Sequence, residues 1–186
     1  MAISFPFFAV GYNSFGQADF YKEEILAVAS SVNFGKQCKV GISFKSMLLD
    51  LGEMKTSTRI YGVDVGCTIN AGAKSFFGVM LSNVNRPKIG QKNPEEIYRD
   101  FSVGYSVEPI KNLRFMAEGF KIVGFESESR FAVEAIFFES FVLRSGFVPK
   151  TEVFSVGFGL NNFIDYAYIQ HFDLGGEHFV SLKFAF

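Results

Sequence analysis

Apolar and polar residues alternate with a period of two through almost the whole chain, and nowhere is the i, i+3, i+4, i+7 spacing of a helix sustained. Such a chain can only build sheets. The pattern divides into about twelve strands, most near the 9 to 11 residues that a tilted strand needs to cross a bilayer. They run from Ile3 to Tyr12, Glu23 to Phe34, Cys38 to Leu49, Thr58 to Ile69, Ser75 to Val84 and Ile97 to Val107. The second half continues with Leu113 to Val123, Ser129 to Phe138, Phe141 to Val148, Glu152 to Leu160, Phe163 to Gln170 and His178 to Phe186.

The connections alternate in length. Tight links are expected at Gly35-Lys36-Gln37, Gly72-Ala73-Lys74, Glu108 to Asn112, Glu139-Ser140 and Asn161-Asn162. Longer or more polar ones fall at Asn13 to Lys22, Asp50 to Ser57, Asn85 to Glu96, Gly124 to Glu128, Pro149 to Thr151 and His171 to Glu177. Short periplasmic turns, longer outer loops and an even strand number are the habit of outer-membrane barrels.

Separating alternate positions gives two faces. One carries Phe101, Tyr105, Phe115, Phe131, Val133, Phe137, Phe154, Phe158, Tyr166 and Tyr168 and almost no charge. The other carries Asp100, Arg114, Glu118, Arg130, Glu134, Arg144, Asp165 and Lys183 among Gly and Ser. Acid and base alternate from strand to strand, so a ladder of cross-strand ion pairs inside a lumen is expected, with Arg130 between Glu118 and Glu134. A soluble barrel with its aromatics inside suits about eight strands; about twelve enclose more space than side chains fill, and no helix is available as a plug. The fold expected is therefore all-β: a single transmembrane antiparallel up-and-down barrel domain over residues 1–186, with the Phe-rich face toward lipid. Two alternatives are a structural or interaction barrel with a filled lumen and no transport of its own, and a soluble β-sandwich binding module, whose inner faces also read apolar at alternate positions.

Bulk properties narrow the partners. A net charge of −1 with no basic patch argues against a nucleic-acid partner, and none is expected. No apolar run approaches the roughly 20 residues of a membrane helix, so any spanning structure uses strands. The start, Met1-Ala2-Ile3-Ser4-Phe5-Pro6-Phe7, does not read as a secretory signal.

Few residues invite chemistry. His171, Asp173, Glu177 and His178 crowd the last loop, but a polar hairpin loop predicts the same residue types, and no metal site is expected. The run Gly157 to Asn162 has the glycines of a phosphate loop yet closes a strand and opens no helix, which makes them lumen-facing spacers. No nucleophile and base pair and no separated carboxylates appear, so neither an enzyme nor a cofactor is expected. Cys38 and Cys67 fall near the same end of adjacent strands on the outward face. A disulfide is open to them in an oxidising compartment, and unpaired small apolar residues are the simpler reading. The longest loop, Val84 to Ile97, offers Arg86, Pro87 and Lys88 to a partner or solute.

Several segments carry a family resemblance. These are Gly11-Tyr12-Asn13-Ser14-Phe15-Gly16, Asn85-Arg86-Pro87-Lys88-Ile89-Gly90, Leu143-Arg144-Ser145-Gly146, Ile164-Asp165-Tyr166-Ala167-Tyr168, Leu174-Gly175-Gly176-Glu177-His178 and Ser181-Leu182. They resemble the PorV/PorQ-like outer-membrane proteins associated with type IX secretion, distantly similar to the long-chain fatty-acid transporter barrels. The final strand, with Val180, Leu182, Phe184 and Phe186 at alternate positions, resembles the terminal signal read by the barrel-assembly machinery. The resemblance implies a bacterial outer-membrane location, a lipid bilayer around the barrel, and transport of a hydrophobic solute or export of protein cargo. It also implies a signal peptide and an Asn-Pro-Ala-like segment ahead of the first strands, so the chain is expected to be a truncated or short member.

Overall fold

The structure is a computed structural model that describes residues 2–4, 8–17, 21–51, 56–90, 94–160, 163–172 and 175–182. These residues hold strands and turns and no helix. The strands are β1 (Ala2–Ser4), β2 (Phe8–Gln17), β3 (Tyr21–Phe34), β4 (Cys38–Leu51), β5 (Thr56–Gly72), β6 (Ser75–Ser82), β7 (Lys88–Ile89) and β8 (Glu95–Glu96). They continue with β9 (Asp100–Ile110), β10 (Leu113–Ile122), β11 (Glu128–Phe137), β12 (Phe141–Val148), β13 (Val153–Leu160), β14 (Ile164–His171) and β15 (Gly175–Leu182). Hydrogen bonds join β1 to β6 and then β9 to β15 in chain order as one antiparallel sheet; β7 and β8 form a separate small hairpin. Twelve of these strands answer the twelve expected ones. No ladder joins β1 to β15 among the described residues, so the sheet is not closed.

By contact the chain divides into two compact units, one of 1–69, 78–101 and 122–125 and one of 70–77, 102–121 and 126–186. In the first unit the strands outrun their apolar pattern. The expected loop from Asn13 to Lys22 is paired backbone as far as Gln17 and again from Tyr21, and the expected loop from Asp50 to Ser57 is paired to Leu51 and from Thr56. Polar side chains sustain these extensions: the Tyr12 hydroxyl donates to Glu24 at 3.1 Å and Lys22 meets Glu24 at 2.5 Å. A strand needs only a paired backbone; the apolar alternation marks the part of it that is covered. The first expected strand is likewise shifted, from Ile3–Tyr12 to Phe8–Gln17, with the short β1 set before it.

In the second unit the strands are shorter and the turns tighter. Between β11 and β12, Ser140 N–H donates to Phe137 O at 3.2 Å while Phe138 and Glu139 both take positive φ, 51° and 61°. That is the type I′ turn whose twist suits a hairpin, made without the Asn-Gly pair that adopts it readily. Phe138 is 94% exposed and contributes no packing in return. Replacing Phe138 by Asn and Glu139 by Gly is expected to stabilise the fold by about 1 to 2 kcal/mol, read as a higher urea midpoint. An unchanged midpoint would mean the turn is of another type.

Few apolar side chains of the sheet are covered. Among the described residues the buried apolar side chains are Ile60, Pro87 and Val142, whereas the buried polar ones are Asp64, Ser75, Ser82 and Asn83. Leu26, Val28, Val32, Phe34, Ile42 and Phe44 in the first unit and Phe115, Phe131, Phe147 and Phe154 in the second all stand exposed.

Candidate functional site

Two clusters of charge stand on the polar face of the second unit. Register places Arg114 opposite Glu134 and Glu134 opposite Arg144 on β10, β11 and β12. Glu134 accepts from Arg144 Nε at 2.9 Å through one oxygen and from Arg114 Nη1 at 3.3 Å through the other. Arg144 then reaches across β13 to Asp165 on β14, its Nη1 donating to Oδ1 at 2.7 Å. Glycine makes that reach possible. Gly157 lies opposite both Arg144 and Ala167, and a Cβ on Gly159 would collide with the Asp165 carboxylate and sit 3.3 Å from Arg144 Nη1. The run Gly157-Phe158-Gly159 is thus a gap in a strand through which an ion pair passes. Its carboxylates are the better covered partners: Glu134 and Asp165 are 14% and 17% exposed, Arg114 and Arg144 42% and 38%.

The second cluster corrects an expectation. Arg130 donates from Nε to Glu128 at 2.8 Å and from Nη1 to Glu118 at 3.5 Å, and its guanidinium lies 4.3 Å from the Phe120 ring centroid. It does not serve Glu134, which two other arginines already satisfy. Glu128, expected at the end of a loop, opens β11 on the same face as Arg130. Asp100 belongs to the first unit, and Lys183 lies outside the described residues.

The opposite face of this unit is banded. Phe131, Phe147 and Phe154 form one cross-strand row on β11 to β13. A second line of rings runs Phe137, Phe141, Phe158, Tyr166 and His178, with successive centroids 6.5, 6.4, 5.2 and 6.1 Å apart. The Tyr166 hydroxyl and His178 Nδ1 are 2.7 Å apart. Between the rows lie Val133, Ala135, Leu143, Ser145 and Val156, and from Phe131 to Phe137 the strand advances about 20 Å. A shallow groove of about 380 Å³ opens on this face between Tyr105, Phe115, Phe131 and Phe147.

No family model, curated protein or solved structure matches this chain.

The first unit holds a site that alternation does not disclose. Lys45 on β4 meets Asp64 on β5 at 2.9 Å, and Asp64 is 5% exposed. The chain leaving β6 then turns back onto this pair: Asn83, at φ 53°, donates its N–H to Asp64 Oδ1 at 3.0 Å and its Nδ2 to Tyr98 O at 3.0 Å. Two residues on, Asn85 accepts from Val63 N at 2.9 Å and donates to Tyr61 O at 2.8 Å, so its amide pairs with β5 as a backbone peptide would. Gly62 admits this arrangement, since a Cβ there would stand 2.9 Å from Asn83 Oδ1 and 3.3 Å from Lys45 Cε. Gly62→Val is expected to expel the Asn83 side chain and free the following segment, seen as a gain of at least about tenfold in amide exchange over residues 84–99. Unchanged exchange there would show that the Asn83 contacts do not hold it.

That segment is the loop expected to meet a partner. It folds as the β7–β8 hairpin, closed by Ile97 N–H to Pro87 O at 2.8 Å and by Lys88 to Glu96 at 3.8 Å. Pro87 is buried, so of Arg86, Pro87 and Lys88 only the two basic residues face outward.

Three of the four residues that crowd the last loop lie among the described residues. His171 and Glu177 approach at 3.8 Å, whereas His178 packs 5.0 Å from the Tyr168 ring, and Asp173 lies outside the described residues. Val180 and Leu182 are exposed on β15; Phe184 and Phe186 lie outside the described residues. Cys38 and Cys67 carry free thiols with their sulfurs 3.4 Å apart.

Proposed function

We propose that this protein is an outer-membrane β-barrel acting in transport or protein secretion across that membrane, with its banded aromatic face against lipid and its charge ladder lining a lumen. The observation that carries the reading is the pairing of these two faces on the same strands. Contiguous exposed apolar surface marks a surface meant to be covered, and a belt of aromatics on either side of an aliphatic centre is the covering that a bilayer selects. The resemblance to the PorV/PorQ-like proteins gives the direction of the functional reading: passage of a hydrophobic solute or assistance to exported cargo. Assembly by the barrel machinery, through Val180, Leu182, Phe184 and Phe186, belongs to the same reading.

Expressed behind an outer-membrane signal peptide, the protein should remain with the membrane through a carbonate wash and leave it in detergent. Release by carbonate alone would end the membrane reading. Reconstituted in vesicles, a transporting barrel takes up a hydrophobic solute above the protein-free rate; membrane retention without uptake would leave secretion as the function and remove the transport arm.

A further inference from the structure

Cys38 is the first residue of β4, directly after the turn at residues 35–37, and Cys67 lies on the neighbouring strand β5. Register sets Cys38 opposite Ile69 and Cys67 opposite Val40, which makes the two cysteines diagonal neighbours on one face of the sheet. They are the chain's two cysteines, both half-buried, and their sulfurs are already in contact at 3.4 Å. On a flat sheet such a diagonal spans about 7 to 8 Å between Cα atoms, beyond the roughly 6.8 Å that a cystine tolerates. Strand twist shortens one diagonal and lengthens the other. Sulfurs in contact identify this as the short one.

We propose that Cys38 and Cys67 form an oxidisable dithiol, which a disulfide reagent converts to an intramolecular cystine joining β4 to β5. The chemistry balances as exchange. The thiolate of one cysteine attacks a disulfide RSSR, forming a protein mixed disulfide and releasing RS⁻. The second thiol gives up its proton to that RS⁻, and its sulfur displaces the remaining R group as a second RS⁻, which takes a proton from the first cysteine's ionisation. The protein loses two hydrogens and two electrons, and RSSR becomes two RSH. Proximity drives the second step, because the resolving sulfur is held beside the mixed disulfide whereas a second RSSR must diffuse to it. Closing to a bond of about 2.05 Å requires the sulfurs to approach by roughly a further 1.4 Å, within reach of two χ1 rotations.

The test is to treat the folded, detergent-held protein with oxidised glutathione and measure its intact mass without reductant. The expected product is lighter by two hydrogens, returns to the starting mass with dithiothreitol, and yields one cross-linked peptide pair containing Cys38 and Cys67. Cys38→Ser and Cys67→Ser should each stop at a single stable glutathione adduct. The bridged form should unfold at a higher temperature than the reduced one. Two glutathione adducts on the folded wild-type chain, or no reaction while the denatured chain reacts, would overturn the proposal. The outcome is independent of the membrane reading, since a dithiol on a water-exposed sheet would close in the same way.

Discussion

Replacing Arg144 with leucine is expected to lower the folding free energy by about 2 to 3 kcal/mol, measured by urea titration in lipid vesicles. Arg144 is the only group that binds both Glu134 and Asp165 among the contacts of the described residues. Its loss removes the 2.7 Å contact to Asp165 beside the Gly157 and Gly159 gap and leaves Glu134 with the longer, 3.3 Å contact to Arg114. Removing one partner of a fully buried pair costs about 3 to 5 kcal/mol; the lower figure follows because the arginine side chain retains 38% of its exposure. A double variant separates charge from packing. Arg144→Leu combined with Asp165→Leu should cost less than the two single losses added together, since both single changes break the same ion pair. A loss below about 0.5 kcal/mol would place Arg144 among ordinary surface ion pairs and leave the ladder without a structural role.

Val133→Arg should be as damaging for the opposite reason. Val133 lies on β11 between the two aromatic rows, opposite Phe115 and Ser145. An arginine at the middle of a lipid-facing band costs about 2 to 4 kcal/mol, and much less near its edges. Ala132→Arg, one residue earlier, enters the polar face opposite Met116 and Gly146, between Arg130 and Glu134 of the same strand. Its expected cost is under about 1 kcal/mol. Equal losses from the two variants, measured as folding free energies into vesicles, would contradict the assignment of faces.

Alternation along the sequence makes the two faces legible. Arg130, Ala132 and Glu134 against Phe131, Val133 and Ala135 is a pattern that a paired strand can satisfy in one register only, because a slip of one residue would exchange the two sets. Strand ends are less legible. Tyr12 bonded to Glu24 and Lys22 opposite Asp50 extend β2 to β4 past the apolar residues, and polar side chains give the same signal in a loop as on an uncovered strand. Partnerships within the ladder depend on register. Glu118 and Arg130 are directly opposite, as expected, but Arg144 bonds to a residue two strands away because two glycines stand between them. Lys45, Asp64, Asn83 and Asn85 are not legible as a site. Their contacts arise when the chain after β6 reverses through a positive φ at Asn83, a tertiary event with no periodic trace. The one hint in the sequence is Lys45 and Asp64 set beside Gly41, Ser43, Gly62 and Gly66 on one face of β4 and β5.

The most direct test of the lipid-facing assignment uses the absence of tryptophan from this chain. Phe115 and Met116 are consecutive on β10 and belong to opposite faces. Phe115→Trp and Met116→Trp would each carry the only indole, reconstituted in bilayers with bromine on the acyl chains. With the Phe-rich face against lipid, Phe115→Trp shows strong quenching and blue-shifted emission, and Met116→Trp shows little quenching. Equal quenching of the two, or quenching of Met116→Trp alone, would contradict that assignment.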